Sequence, residues 1–171
     1  MTGPTFLIII IVIVVLVSIY AFVYLIFNRQ EAKSNIQLSK MLNAINYKND
    51  LLPGILQTLK NHLPERENFI FDLSQKRSES YEARTDLPRK QIVEKELEAK
   101  VDELFDIAKN HEQFKEDPTF VELRHKYSNT ETSINLEVEK YNSLVKKFNK
   151  LRKYLVIFTA VLRIKPLQAY K

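Results

Sequence analysis

Cysteine is absent from this 171-residue chain, and only two glycines occur, Gly3 and Gly54. Without cysteine there are no disulfides, no thiolate metal ligands and no cysteine nucleophile, and the redox compartment is left open. With glycine so scarce, a glycine-rich phosphate loop cannot be built, and a β-rich fold with many tight turns is disfavoured. No serine stands in the glycine-flanked elbow of a hydrolase. Charge is missing over a long stretch as well, since no acidic or basic side chain precedes Arg29.

What fills that uncharged stretch is "FLIIIIVIVVLVSIYAFVYLIF", Phe6 to Phe27. As a helix rising ~1.5 Å per residue it is long enough to cross a bilayer core of ~30 Å. A cleaved signal peptide fits it poorly. No charged segment precedes it, it exceeds an apolar signal core of ~7–15 residues, and the exit "FNRQEAK" offers no small-residue cleavage site. The run reads as an uncleaved anchor. Arg29, Lys33 and Lys40 follow it closely, which by the positive-inside rule puts the N-terminus outside and the remainder in the cytoplasm.

The remaining residues suit one small helical domain. Ile36, Leu38, Met41, Leu42 and Ile45 give a rough stripe on a first helix that continues from the anchor. Pro53-Gly54 is the first breaker. Either Asp50 caps a new helix with Pro53 in its first turn, or the helix runs through with a kink. A second helix is expected from about Leu51 to Arg84, with an irregularity at Pro64, and with Phe69, Ile70 and Leu73 extending its apolar band. A third, from about Pro88 to Lys109, has Thr85 or Asp86 to cap it and a face of Ile92, Leu97, Val101, Leu104, Phe105 and Ala108. Asp117-Pro118 starts the fourth. In this helix Ile134, Val138, Tyr141, Val145 and Phe148 alternate in steps of four and three, the seam that packs against neighbouring helices. The repeated pairs Tyr141-Asn142 and Phe148-Asn149 lie on it. The aromatics therefore read as seam residues and the asparagines as its polar edge, able to fix register across a bundle. Four helices with short connections make an up-down bundle, which brings the C-terminus back toward the bilayer.

The tail agrees with that return. The chain carries +5 overall, yet nine Lys and Arg follow Glu139 with no acid among them, which leaves residues 1–139 at −4. Within the tail, "YLVIFTAVL" (Tyr154 to Leu162) is flanked by Arg152, Lys153, Arg163 and Lys165. Nine residues cannot span a bilayer as a helix. Two placements are compatible with them: an anionic membrane interface, with the cations and Tyr154 at the headgroups, or the open end of the bundle. The same cations in "KKFNKLRK" are the only hint of nucleic-acid binding, and no motif accompanies them.

Catalytic signals are isolated. "HEQFK" at His111 begins like a zinc-protease helix but lacks the second histidine. Glu122 precedes His125 by three residues, once rather than in the pair that a four-helix metal site requires. A metal hydrolase built on His111, Glu112 or Glu122–His125 is the weakest reading.

Three stretches carry a family resemblance. "NDLLPGILQTLK" is similar to the "DLIPNLV" element of the LemA family. "LFDIAKNHEQFKEDPTFVELRHKYSNTETSI" resembles the family's long pattern ending in Thr-Glu-Asn-Arg-Ile. "KYNSLVKKFNK" resembles its Tyr-Asn-x-x-Val-x-x-Tyr-Asn helix. Order and spacing match across most of the chain. The departures are Phe27-Asn28 where a Tyr-Asn is usual, Thr132 and Ser133 in place of Asn and Arg, Phe148 for the second tyrosine, and no closing Phe-Pro-Gly. The resemblance implies a bacterial single-pass membrane protein with a long antiparallel bundle and no established catalytic residues.

The expectation is an all-α protein: a short N-terminal tail (1–5), a transmembrane helix (6–27), an up-down LemA-like bundle (28–153) and a basic-apolar tail (154–171). Its expected role is a non-enzymatic, self-associating scaffold of the bacterial inner membrane. The alternative is a membrane-remodelling or lipid-sensing protein acting through the tail. Membrane lipids, a second copy and an unidentified protein are the expected partners, with no nucleic acid, metal or cofactor. Helix-seam candidates are Ile134, Val138, Tyr141, Asn142, Val145 and Phe148. Membrane-interface candidates are Arg152, Lys153, Tyr154, Arg163 and Lys165.

Overall fold

The computed structural model describes residues 3–170, and among these the chain is helical nearly throughout, with no strand. The helices are α1 (Gly3–Asp50), α2 (Leu52–His62), α3 (Glu67–Glu82), α4 (Leu87–Lys109), α5 (Glu112–Glu116), α6 (Pro118–Tyr154) and α7 (Val156–Val161). Short 3₁₀ turns at Pro64–Arg66 and Ala83–Thr85 flank α3. The chain divides into two compact units. Residues 3–37 and 142–169 form the first; residues 38–141 with Tyr170 form the second.

In the second unit α1 breaks at Leu51 because of Pro53. Proline has no N–H to offer the carbonyl four residues back, and that carbonyl belongs to Asn49. Arg77 Nε of α3 takes it at 2.8 Å, and the Tyr81 hydroxyl donates to the Asn46 carbonyl at 3.2 Å. Asp50 does not cap α2, whose N-cap position is Leu51 with no side-chain bond. Its carboxylate instead accepts from Arg77 Nη2 (3.1 Å) and the Tyr81 hydroxyl (2.6 Å). Burial, followed by this bond to Asp50, pushes the Tyr81 phenol up to about 12.

The helix expected over residues 51–84 is two helices, and the chain reverses between them at Leu63–Arg66 rather than at Pro53-Gly54. Ser80 near the end of α3 bonds Asn49 near the end of α1, at 3.0 Å, so α3 runs back along the stretch before it. The stretch 38–62 thus runs one way, α3 returns, α4 goes out and residues 118–141 of α6 return. Gly54 lets α2 approach α6: a Cβ there would stand 2.8 Å from Leu123 Cδ1.

The core holds Leu52, Ile55, Leu59, Leu73, Leu97, Val101, Leu104, Phe114, Phe120 and Tyr127. Two residues assigned to apolar stripes lie outside it. Ile36 and Ile92 are each 60 % exposed. Counted at heptad spacing, the buried positions of α4 are Lys90, Glu94, Leu97, Val101, Leu104 and Ala108, and Ile92 falls off that line. On α6 the buried line in steps of seven is Phe120, Tyr127, Ile134, Tyr141 and Phe148, so the seam extends two heptads upstream of Ile134, where the expected seam begins.

In the first unit residues 142–154 of α6 run antiparallel to α1, with the Phe27 and Phe148 rings edge to face at 5.4 Å. The chain then turns through α7, whose Phe158 meets Tyr20 at 5.0 Å. The turn after α7 is a Schellman cap: Ile164 N–H bonds the Thr159 carbonyl (3.0 Å) and Arg163 N–H the Ala160 carbonyl (3.3 Å). Arg163 takes the left-handed position, φ 52°, where glycine is usual.

Two aspartates cap helices as expected. Asp86 accepts from Arg89 N–H at 3.1 Å. Asp117 accepts from the N–H groups of Thr119 (2.9 Å) and Phe120 (3.0 Å), and its other oxygen meets His62 Nε2 at 2.9 Å. The His62 bond first, then the Phe120 N–H, hold the Asp117 carboxyl below the usual range. A depressed acid stabilises the fold above its unfolded pKa of ~3.9, and this contribution is lost as pH falls through the folded value. Asp117→Ala should therefore cost about 1 kcal/mol at pH 7. The gap to the parent should close below about pH 4, read by denaturant unfolding of the full chain in detergent across pH.

Candidate functional site

The most densely bonded polar cluster is a lock in the second unit, where α1, α3 and α4 meet. Lys90 on α4, Ser80 on α3 and Asn49 on α1 are all fully buried, and Glu94 is 8 % exposed. Lys90 Nζ donates to Ser80 Oγ (2.6 Å), the Ser80 carbonyl (2.9 Å) and Glu94 Oε1 (2.9 Å), with Asn46 Oδ1 farther off at 3.4 Å. Ser80 Oγ donates to Glu94 Oε1 and accepts from Asn49 Nδ2 at 3.0 Å. Asn49 Nδ2 also donates to Glu94 Oε1, at 2.9 Å. That carboxylate oxygen therefore collects three donors. Within this cluster Asn49 Oδ1 is left unpartnered.

A serine hydroxyl beside a lysine can act as a nucleophile with an amine base. Here the lysine lies against a carboxylate that also accepts the serine's hydrogen bond, both side chains are closed to solvent, and neither can be reached by a substrate. The chemistry of this arrangement is cohesive. Each ion loses water at a cost of several kcal/mol, and the convergent bonds offset that cost only in one register.

Sequence reasoning missed this site. Lys90 and Glu94 at i, i+4 are of the residue types that ordinarily form a solvated pair. The available signal was positional: both fall on the same heptad line as Leu97, Val101, Leu104 and Ala108.

Two cavities adjoin the second unit's core. One of about 200 Å³ is lined by Ile45, Lys48, Glu94, Glu98, Glu131 and Tyr170 among others. Tyr170 is 9 % exposed, and burial first, then Glu94 and Glu98, push its phenol up. The other, about 420 Å³, lies where α4, α5 and α6 meet. Its apolar wall is Ala108, Phe114, Phe120 and Val121, and Lys109, Lys115, Arg124 and His125 edge it without an acid. This shape takes an apolar group that ends in an anion.

The sequence-derived candidates are distributed as follows. Ile134, Tyr141, Val145 and Phe148 are buried, and Val138 and Asn142 are half-buried. Asn149 pins the tail: Nδ2 donates to the Leu167 carbonyl (2.8 Å) and Oδ1 accepts the Leu167 N–H (3.0 Å). Lys153, Tyr154, Arg163 and Lys165 are exposed, but Arg152 is half-buried and its Nε donates to the Ile164 carbonyl at 2.8 Å. Glu122 pairs with Lys126 (2.6 Å) rather than His125, and His111 packs by its ring on Phe114. Among the described residues no three His, Cys, Asp or Glu side chains converge for a metal.

The model of the LemA family matches residues 37–170, well over half of the chain. No curated protein matches it.

Removing one member of a buried ion pair strands the other. Lys90→Met should cost about 3–5 kcal/mol, and Lys90→Met/Glu94→Leu clearly less than the sum of the two single changes, by denaturant unfolding in detergent. A second test concerns Tyr127, whose buried hydroxyl has no partner. Tyr127→Phe should leave stability unchanged or raise it by up to ~1 kcal/mol.

Proposed function

The chain belongs to the LemA family, and on that footing we propose that it is a non-enzymatic, membrane-anchored helical scaffold that binds itself and other proteins. One observation carries the reading. α1 is a single 48-residue helix that holds both the uncharged run Phe6–Phe27 and the residues Asn46 to Asp50 gripped by the polar lock. Most of the run's large side chains are 42–65 % exposed, as lipid-facing side chains are, and it is long and apolar enough to cross a membrane. The cations after Phe27 favour an outside N-terminus and a cytoplasmic bundle in a bacterial inner membrane. The basic-edged groove suits an apolar side chain followed by an acid on a partner protein. The register lock supports scaffolding over turnover, because its groups are committed to one another.

The second reading is action on the lipid surface itself through the tail. It is favoured by the exposure of Val156 (60 %), Ile157 (73 %) and Val161 (63 %) on α7.

Chemical cross-linking in native membranes tests the scaffold. Covalent dimers or higher species and co-purifying proteins are expected, and Lys115→Glu/Arg124→Glu should reduce the yield of protein partners severalfold. A strictly monomeric chain with no partner would remove the scaffold reading.

A further inference from the structure

α7 lies beside the apolar run, not beyond its end. Phe158 meets Tyr20, and Tyr20 is seven residues, about 10 Å of helix, before Phe27. The side of α7 turned inward, with Leu155, Phe158 and Leu162, packs with Val23, Phe27 and Phe148, leaving Val23 and Phe27 only 6 % and 2 % exposed. The opposite side, with Val156, Ile157 and Val161, faces outward. No charge interrupts residues 154–162.

An irregular turn beside a membrane span must satisfy its own backbone, because acyl chains offer no hydrogen bonds. This one does. Leu155 N–H bonds the Leu151 carbonyl, Thr159 N–H the Leu155 carbonyl and Leu162 N–H the Phe158 carbonyl. The Schellman pair covers Arg163 and Ile164. Past the turn, where no helix remains, side chains take over: Arg152 serves the Ile164 carbonyl and Asn149 serves both polar groups of Leu167. The Thr159 hydroxyl turns inward to the Val156 carbonyl at 3.1 Å. Lys153, Arg163 and Lys165 sit just outside the apolar segment, at both of its ends.

We infer that α7 and its turn are a wedge inserted into the leaflet where the apolar run ends, with Val156, Ile157 and Val161 among acyl chains and Lys153, Arg163 and Lys165 at lipid phosphates. Continuity selects the occupant. The wedge surface adjoins the lipid-facing side chains of the same run, and its cations match anionic headgroups. The inference rests on the anchor reading given above. A second attachment point in one leaflet then fixes the depth and rotation of the span, which a lone apolar helix leaves free.

The chain contains no tryptophan, so single tryptophans report depth without background. The full chain carrying Ile157→Trp, Ile13→Trp or Ile92→Trp is reconstituted in phosphatidylcholine–phosphatidylglycerol vesicles, with or without brominated acyl chains. Bromine should quench Ile157→Trp and Ile13→Trp to similar extents, severalfold more than Ile92→Trp. If Ile13→Trp is quenched and Ile157→Trp is not, the wedge is overturned while the anchor stands. A blue-shifted but unquenched Ile157→Trp likewise overturns it, in favour of cover by protein. If Ile13→Trp is unquenched, the anchor reading falls and takes the wedge with it.

Discussion

A lysine cut off from water constrains the whole second unit. Lys90 keeps three N–H donors that must all be met, and its acceptors come from three helices: Ser80 on α3, Glu94 on α4 itself and, more distantly, Asn46 on α1. A slip of one residue along any of these helices would rotate an acceptor by about 100° and leave a buried charge bare. The leucine layers above and below tolerate such a slip far better, since one apolar contact replaces another. The lock therefore contributes to the choice of register more than to net stability, the role best attested for polar groups at helix seams. Pro53 works in the same direction. By orphaning the Asn49 carbonyl it creates an acceptor that Arg77 fills, and this ties α3 to the end of α1.

Periodicity made most of the fold legible. The apolar run, the caps at Asp86 and Asp117, the α4 boundary and the α6 seam all follow from residue type and spacing, because each depends on neighbours within one or two turns. The reversal at Leu63–Arg66 did not. Both Pro53 and Pro64 interrupt helices, and local sequence cannot say which interruption bends the chain back. Asn49 and Ser80 decide it, thirty-one residues apart. The exposed Ile36 and Ile92 mark the same limit: an apolar residue near a stripe is assigned to it by composition, whereas burial is decided by the partner helix.

The candidate site was the least legible part, for a reason that polarity explains. In sequence, Lys90 and Glu94 look like any i, i+4 pair on a wet face. Their distinction is place on the heptad line, which weighs position above residue type. Asn149 misled in the opposite way. Its repeat with Asn142 suggests a link across the bundle, yet its amide holds Leu167, eighteen residues on. That contact exists only because Arg163 accepts a left-handed backbone and turns the tail back. Nothing in the identity of an arginine announces such a turn, since glycine usually marks it.

Lock and tail obey one rule in two settings. Where water is excluded, a polar group must find a partner within the chain, and the partners then dictate geometry. In the second unit the excluding medium is the helix core, and Ser80, Asn49 and Glu94 answer Lys90. In the first, Asn149 and Arg152 answer the backbone groups of Ile164 and Leu167 past the end of α7. The same reasoning explains why Arg152 differs from its neighbours. Lys153 and Lys165 are exposed, but Arg152 has committed its Nε to Ile164. A cation in a basic tail is thus not always an electrostatic contact with lipid. Replacing Arg152 by lysine would preserve the charge and lose the planar donor that closes the turn.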